Sequence, residues 1–434
     1  NRRSMVAARP TGPSDDRYTR VAEATPTRFA ELVVDIGRRR TVNPLRMARA
    51  AALVAVAGHE AAVAAAHTAL PDGPPPASKD AALGRPLAGV DNWGVERPKG
   101  TLPPEVVSAA AQRTVGCSIY PPECERFERL ADIAVYRLLG TGAYWPSTID
   151  AAVRLGDAVG DAVLAHARTD GAAPWTPAPG DLPAGSTWVP TPGMFAPPLE
   201  PFAGSWRPWN FESGSQFRPK GPPPVDSSAF RAAVRQVLVE GTNLSDRNLR
   251  VVRYWDLGPG TSTPPGYWVN DVAADSLRNQ PVADQASALA VLATAEFDAG
   301  VAVWDAKYHF GLIRPVSVIR SGPSPQWLPS LQTPPFPSYV SGHAAFAVAA
   351  AIVMAVVEPS RAEEFYDAAA EAADSRVRGG IHYWFDEVDG ASVGASVAAA
   401  ALRTAGLSPA RDIEPIADRL VYTSAAVRTG GRTP

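Results

Sequence analysis

The most restrictive feature of this sequence is a series of long segments in which alanine, leucine and valine recur at helical spacing. Strand patterns, in which apolar and polar residues alternate, are almost absent. Helical periodicity covers residues 27–40, 44–67, 104–111, 124–139, 147–168, 228–240, 283–310, 344–357, 359–373 and 388–405. The pattern therefore predicts an all-α chain built from helical bundles.

Prolines divide this helical pattern. The 44 prolines of the 434-residue chain crowd into a few stretches, notably between residues 170 and 226. Four tryptophans make this stretch too apolar for a flexible linker: Trp175, Trp188, Trp206 and Trp209. We therefore predict a long, ordered, proline-rich crossover loop at about 170–226. It would end an N-terminal helical half, residues 1–226, and lead into a C-terminal half, residues 227–434, within one integrated body.

Composition and charge argue against several classes of function. The formal net charge of -3 and the pI near 6.1 provide no bulk attraction for nucleic acid or for an acidic membrane. The apolar stretch 48–66 carries three ionisable side chains, which favours a buried amphipathic helix over a membrane span. We therefore expect no nucleic-acid partner and no transmembrane segment, and any anion site must be built locally.

The two cysteines leave the compartment open. Cys117 and Cys124 could close a small loop as a disulfide, which is typical of exported proteins, or remain two reduced core thiols. The sequence also begins at an asparagine, which is compatible with a removed leader. The expectation is a soluble protein whose export is undecided.

A first polar segment interrupts the apolar pattern at residues 307–315, KYHFGLIRP. Lys307 and Arg314 are seven residues apart, so on a continuous helix both cations would project from one face towards one point. Such a pair favours an anion site, although two solvated surface charges would look the same. Trp304, one turn before the lysine, would either shield the site or fill the core.

A second segment, PPFPSYVSGHAAFAVAAAIVM, covers residues 334–354. Its prolines force an extended approach, after which Ser341, Gly342 and His343 open a helix. The serine hydroxyl, the glycine amide and the helix dipole would together form an oxyanion pocket, with the histidine beside the anion. Taken alone, the same residues could be an ordinary N-cap and a surface histidine.

A third segment, SRVRGGIHYWFD, covers residues 375–386. Arg376 and His382 are six residues apart, off one helix face, but the glycine pair between them permits a turn that brings both to one point. Asp386, four residues after His382, would hold the imidazole by a hydrogen bond, fix its tautomer and raise its basicity. All three segments arise together by chance on the order of once in ten thousand chains, so we predict one oxyanion site.

These segments resemble the K-x6-R-P, P-S-G-H and S-R-x5-H-x3-D motifs of the vanadium-dependent haloperoxidases and of the acid phosphatases in the type 2 phosphatidic-acid-phosphatase superfamily. The one departure is Val340, where proline usually precedes Ser-Gly-His. Likeness to the chloroperoxidases of this family extends to Trp304, to PPFPSY and, more loosely, to residues 254–268, YWDLGPGTSTPPGYW. This last match places Asp256 near the site.

The resemblance implies that the chain binds vanadate, with phosphate able to occupy the same site. It implies that His382 bonds the metal and that five residues hold the vanadate oxygens: Lys307, Arg314, Ser341, Gly342 and Arg376. His343 would accept the proton of incoming hydrogen peroxide. Asp386 would orient His382.

By the same resemblance, the chain oxidises halide to hypohalous acid and halogenates a small organic substrate. Trp304, Phe336 and Asp256 would line the substrate pocket. The apolar Phe336 would favour chloride use in addition to bromide, and a homodimer is the family expectation. Two alternatives use the same motifs: an acid phosphatase that forms a phosphohistidine at His382, and a homologue that does not halogenate. Chain length and the extra N-terminal half favour the haloperoxidase.

Overall fold

The computed structural model describes residues 24–67, 102–173, 182 and 185–408. Within these ranges every regular element is helical, which confirms the all-α prediction. The first half of the chain contributes α1 (Pro26–Arg39), α2 (Pro44–His67), α3 (Pro104–Ile119), α4 (Cys124–Thr141) and α5 (Pro146–Ala167). After the crossover come α6 (Ser228–Thr242), α7 (Asp246–Tyr254), α8 (Thr263–Gly266), α9 (Ala273–Leu277), α10 (Val282–Phe310), α11 (Pro315–Ser321), α12 (Gly342–Val357), α13 (Ala362–Arg378) and α14 (Trp384–Thr404).

Helix α10 is the centre of the fold. It has 29 residues, and all but a few of its side chains are buried because it packs against α2 on one side and against α12 and α14 on another. Helix α2 in turn packs on α3, and α3 packs on α4 and α5. The two halves of the sequence therefore share one continuous apolar core around α10.

Two apolar segments are long enough, by length and composition alone, to cross a membrane: Pro44–Ala66 and Val282–Ser321. Their most apolar windows are 83% and 100% buried among the other helices. The burial that we predicted for residues 48–66 is therefore observed within the described part of the chain.

The described part of the crossover loop is tied to the helices of the second half. The carbonyl of Gly311 accepts hydrogen bonds from the backbone of Thr187 and Trp188. The Asp298 carboxylate accepts them from the backbone of Trp209 and Asn210. Trp188 and Trp206 are buried, Trp209 is half-buried, and Trp175 lies outside the described residues. These bonds account for an ordered loop in spite of its many prolines.

Several helix limits differ from the predicted ones. Helix α3 continues to Ile119 instead of stopping at residue 111, α13 starts after a short 3-10 turn and continues to Arg378, and α14 begins earlier than predicted. Helices α7, α8, α9 and α11 were missed because they are short and because α8 and α11 carry proline in the first turn, where proline is tolerated. Cys117, at the end of α3, forms a disulfide with Cys124, at the start of α4.

Candidate active site

Lys307 and Arg314 converge, but not by the predicted route. Helix α10 ends at Phe310 because Gly311 adopts a left-handed φ of 55°, and Arg314 is the N-cap of the next helix. The prediction of one continuous helix face was therefore wrong. Both side chains are fully buried and meet at one aromatic ring: the lysine Nζ lies 4.9 Å and the arginine Cζ 5.0 Å from the ring centroid of Phe336.

The ammonium group of Lys307 organises the loop that precedes α12. Its Nζ donates to the carbonyls of Pro337, Ser338 and Val340 at 3.0, 3.0 and 2.6 Å. The peptide bond before Val340, the position that departs from the family motif, is cis. Burial, and next the charge of Arg314, lower the pKa of this lysine. An oxyanion would reach the ammonium only by replacing one of the three carbonyls.

The guanidinium of Arg314 links this loop to His382. Its Nε donates to the Phe336 carbonyl at 2.8 Å, and its Nη1 lies 2.7 Å from the Ile381 carbonyl and 3.1 Å from His382 Nε2. Its Nη2 is buried without a hydrogen-bond partner among the described residues. A buried guanidinium nitrogen without a partner is costly, so this donor is available for a bound ligand.

His382 is held in one orientation by Asp386. The imidazole Nδ1 lies 2.8 Å from Asp386 Oδ2, which also accepts from the hydroxyl of Ser338 at 2.5 Å and from the backbone of Tyr383 at 3.1 Å. His382 precedes α14 and Asp386 caps its first turn, so the bond forms without a helix running through both. The network assigns the proton to Nδ1 and leaves a lone pair on Nε2.

The charges around His382 keep it neutral. Burial lowers its pKa most, followed by the positive charges of Arg314 and Lys307 and then by His343 and Arg376. Burial raises the pKa of Asp386 to about 6, against the opposing hydrogen bond from Ser338 and the charge of Lys307. A neutral imidazole whose Nε2 carries no proton is the form that can bind a metal.

Ser341 and Gly342 form the start of α12, as predicted. Ser341 is the N-cap, and its hydroxyl accepts a long hydrogen bond of 3.4 Å from the backbone of Ala344. Its own backbone N–H donates to the carbonyl of Asp386 at 2.9 Å, which fixes this helix start against α14. Gly390 of α14 allows the close approach, because a Cβ there would lie 2.6 Å from the Ser341 carbonyl oxygen.

His343 and Arg376 face each other on the other side of the site. His343 Nε2 lies 3.2 Å from the backbone carbonyl of Asp256 and 3.4 Å from Arg376 Nη1. Arg376 is fully buried in the last turn of α13, and Gly380, with φ of 82°, turns the chain back towards His382. The structure thus brings Asp256 next to His343. Burial raises the pKa of the Asp256 carboxyl, and Arg376 opposes that shift.

Trp304 and Phe336 form an aromatic wall. Their ring centroids are 4.9 Å apart, and both side chains are largely buried. The indole N–H of Trp304 donates to the carbonyl of Leu199 in the crossover loop at 3.1 Å. Trp304 therefore belongs to the core and also joins the crossover loop to the site. The two alternatives predicted for it, shielding the site and filling the core, are compatible.

The residues present fit a tetrahedral oxyanion. Lys307, Arg314 and Arg376 are fully buried, and none of them forms an ion pair with a carboxylate among the described residues. Burying cations without a counter-ion is unfavourable, and an anion at this position would offset the cost. The unpaired Arg314 Nη2 and the helix start at Gly342 supply donors for its oxygens.

Sequence reasoning missed two buried residues of this site, Ser338 and Glu387. Ser338 lies in the predicted extended approach, and nothing in its context pointed to Asp386. Glu387 lies one residue before the predicted helix 388–405 and was assigned no role. Its spacing to Gly390 and Gly394, which are three and seven residues later, was the available signal that it lies on the packed face of α14.

Residues 287–364 match the family model described as the VCPO second helical-bundle domain. The crystal structure of a bacterial vanadium-dependent iodoperoxidase is similar to this chain with a TM-score of 0.72 and 26% identity, covering 88% of this chain and 97% of that one. Apo and holo structures of a bacterial vanadium-dependent chloroperoxidase give TM-scores of 0.61 and 0.59 at 16% and 15% identity. They cover 84% and 91% of this chain and 94% and 96% of theirs. No curated protein sequence matches this chain.

Proposed function

We propose that this chain, whose fold and second bundle domain are those of the bacterial vanadium haloperoxidases, is itself a vanadium-dependent haloperoxidase. It would use hydrogen peroxide to oxidise halide to hypohalous acid, which halogenates a small organic substrate. One observation carries the proposal: the unprotonated Nε2 of a buried, neutral His382, which accepts a hydrogen bond from Arg314 Nη1 at 3.1 Å, lies among three buried cations that have no carboxylate partner among the described residues. This arrangement suits an oxyanion whose central atom accepts a nitrogen ligand.

The chain's own residues divide the work of holding vanadate. His382 Nε2 would be the protein ligand to vanadium, while Arg314, Arg376, Ser341 and the Gly342 N–H would hold its oxygens by hydrogen bonds. Lys307 would join them by exchanging one of its three carbonyl partners for a vanadate oxygen. When bound, vanadate supplies Lewis-acid activation of peroxide. Asp386 keeps the proton of His382 on Nδ1, so that Nε2 stays available.

His343 would serve as the base for incoming peroxide. Burial, and next the charge of Arg376, lower its pKa, so that it is neutral near pH 7 and able to accept a proton. Its shorter contact is with a carbonyl, that of Asp256, which can only accept a hydrogen bond. This contact favours a hydrogen on Nε2 over the longer contact of the same nitrogen with Arg376 Nη1 at 3.4 Å, and in that tautomer Nδ1 would take the proton.

The extent of the structural likeness favours the haloperoxidase over the phosphatase alternative. The likeness covers 88% of this chain and 97% of the iodoperoxidase, so it extends well into the N-terminal half. The crossover packs on Trp304 and Gly311 at the edge of the site.

A paired assay tests the proposal. Purified full-length protein is incubated with orthovanadate and hydrogen peroxide, and iodide, bromide and chloride are supplied in turn, with monochlorodimedone as the halogen acceptor for bromide and chloride. We expect vanadate-dependent halogenation that His382→Ala abolishes. Hydrolysis of an aryl phosphate without vanadate, together with no halide oxidation, would instead identify a phosphatase. Vanadate binding without either activity would identify a homologue that does not halogenate.

A further inference from the structure

Glu387 lies directly behind the helix start that carries Ser341. It is on the face of α14 that also presents Gly390 and Gly394, whose added Cβ atoms would lie 2.6 Å from the Ser341 carbonyl oxygen and 2.4 Å from the Ala345 carbonyl oxygen. Residues three and seven positions apart share one face of a helix. The Glu387 side chain, 3% exposed, is therefore directed at the first turn of α12.

The surroundings of this carboxyl are unusual for a glutamate. No hydrogen bond to either of its oxygens meets normal limits among the described residues, yet the Ser341 hydroxyl is near enough to lower its pKa. Burial raises that pKa further than Ser341, Arg376 and Lys307 lower it, and the nearby Asp386 raises it too. Burial therefore favours the neutral form of this carboxyl, which carries an O–H group that can donate.

A neutral carboxyl at this position would leave the Ser341 hydrogen available to an anion in the predicted oxyanion pocket. The Ser341 hydroxyl has one hydrogen to donate and two lone pairs, and the backbone of Ala344 occupies one of these lone pairs. An ionised carboxylate would attract the serine hydrogen and would also repel a bound anion. A protonated carboxyl donates to the second lone pair instead, which leaves the serine hydrogen for the anion.

We propose that Glu387 is a positioning residue, which holds the Ser341 hydroxyl from the protein side so that its hydrogen faces the bound oxyanion. The inference rests on the proposed function, since it requires an oxyanion at Ser341. Glu387 touches neither the anion nor the substrate in this role. It would act on anion affinity through Ser341, as groups behind metal-site ligands commonly do.

The test measures anion binding and stability separately. Titration calorimetry gives the dissociation constants of orthovanadate and inorganic phosphate for the full chain, and thermal unfolding without anion gives its Tm. For Glu387→Met we expect vanadate affinity to fall by about 10-fold to 100-fold, while the Tm is unchanged or higher because a buried polar group without good hydrogen bonds is removed. Glu387→Gln, which keeps a donor of similar shape, should stay within about 3-fold of the parent affinity.

Glu296 provides a matched control. It is also fully buried, with a raised pKa and two oxygens that lack partners among the described residues, but it lies 11 residues before Lys307 on α10. At 1.5 Å per residue this is about 16 Å away along the helix. Glu296→Met should leave the affinity for both anions unchanged.

A double-mutant cycle shows whether the effect passes through the serine. If it does, Ser341→Ala combined with Glu387→Met should bind vanadate no more weakly than Ser341→Ala alone. Additive losses, or parent-like binding by Glu387→Met, would overturn the proposal. So would equal losses in Glu387→Gln and Glu387→Met accompanied by a lower Tm, because they would indicate a packing role. A parent protein that binds neither anion would instead refute the proposed function, before any variant is compared.

Discussion

The two imidazoles of the site sit in very different surroundings. His382 is almost completely buried, and its Nδ1 is bound to a carboxylate that two further groups hold in place. His343 is half-buried, and its described hydrogen-bond contacts are a backbone carbonyl at 3.2 Å and a guanidinium at 3.4 Å. The first is built to keep a single tautomer, which a metal ligand needs. The second can exchange a proton, which a general base needs.

Replacement of His343 should have the largest effect on turnover with little effect on anion binding. For His343→Ala we expect halide oxidation to fall by about 10²-fold to 10⁴-fold, the usual contribution of general acid–base catalysis. Vanadate affinity, measured by calorimetry, should change by only a few fold because no donor to the oxyanion is removed. A loss of affinity as large as the loss of turnover would show that the two imidazoles do not have separate roles.

Replacement of Asp386, unlike that of His343, should mainly weaken vanadate binding. In Asp386→Asn the side chain no longer accepts the His382 proton as a carboxylate does, so we expect vanadate affinity to fall by about 10-fold to 100-fold. Asp389→Asn is the matched control, because that carboxylate lies on the same helix and accepts a hydrogen bond from the Tyr339 hydroxyl, not from a histidine. Calorimetric titration of both variants decides the matter, since equal losses would remove the special role of Asp386.

Long helices and the residues of the site could be predicted from the sequence better than the local backbone geometry that joins them. The long apolar helices α2 and α10 were predicted within a residue of their observed ends, because periodicity persists over many turns. The residues of the three motifs were predicted to meet, and the structure brings them together. The predicted reason why Lys307 and Arg314 converge, one continuous helix face, was wrong. Gly311 adopts a left-handed backbone conformation and ends the helix between them.

Other parts of the site depend on packing that no local pattern specifies. Glu387 is buried only because Gly390 lets α14 lie against the start of α12. The bond between Ser338 and Asp386 joins residues 48 positions apart in the sequence. The family motifs predicted which residues would hold an anion, and tertiary contacts determine which residues keep them in place.

The two imidazoles should also differ in how they affect the unfolding free energy at acidic pH. Both have lowered pKa values, so each contributes stability that is present above the unfolded histidine value of about 6.5 and is lost as the pH falls. For His382 this loss is opposed by Asp386, whose pKa is raised to about 6 and which therefore favours the folded state on acidification. We therefore expect His343→Gln to reduce the fall in unfolding free energy between about pH 7 and pH 5.

Urea unfolding at several pH values measures this dependence for the apo protein. The control is His309→Gln, which replaces an exposed histidine outside the imidazole pair. The parent protein and the control should lose stability in parallel, and His343→Gln should lose less. Parallel curves for all three would place the acid sensitivity elsewhere in the molecule.

The smallest effect is expected at Asp256, and it probes how His343 is held. The contact to His343 comes from the backbone carbonyl of this residue, which Asp256→Ala keeps. Only the exposed carboxyl near Arg376 is lost, and exposed charge pairs contribute about 0.2 to 1 kcal/mol. Turnover and vanadate affinity should therefore stay within about 5-fold of the parent values. A loss comparable to that of His343→Ala would mean that the carboxyl itself, and not the backbone, sets the proton-transfer side of the site.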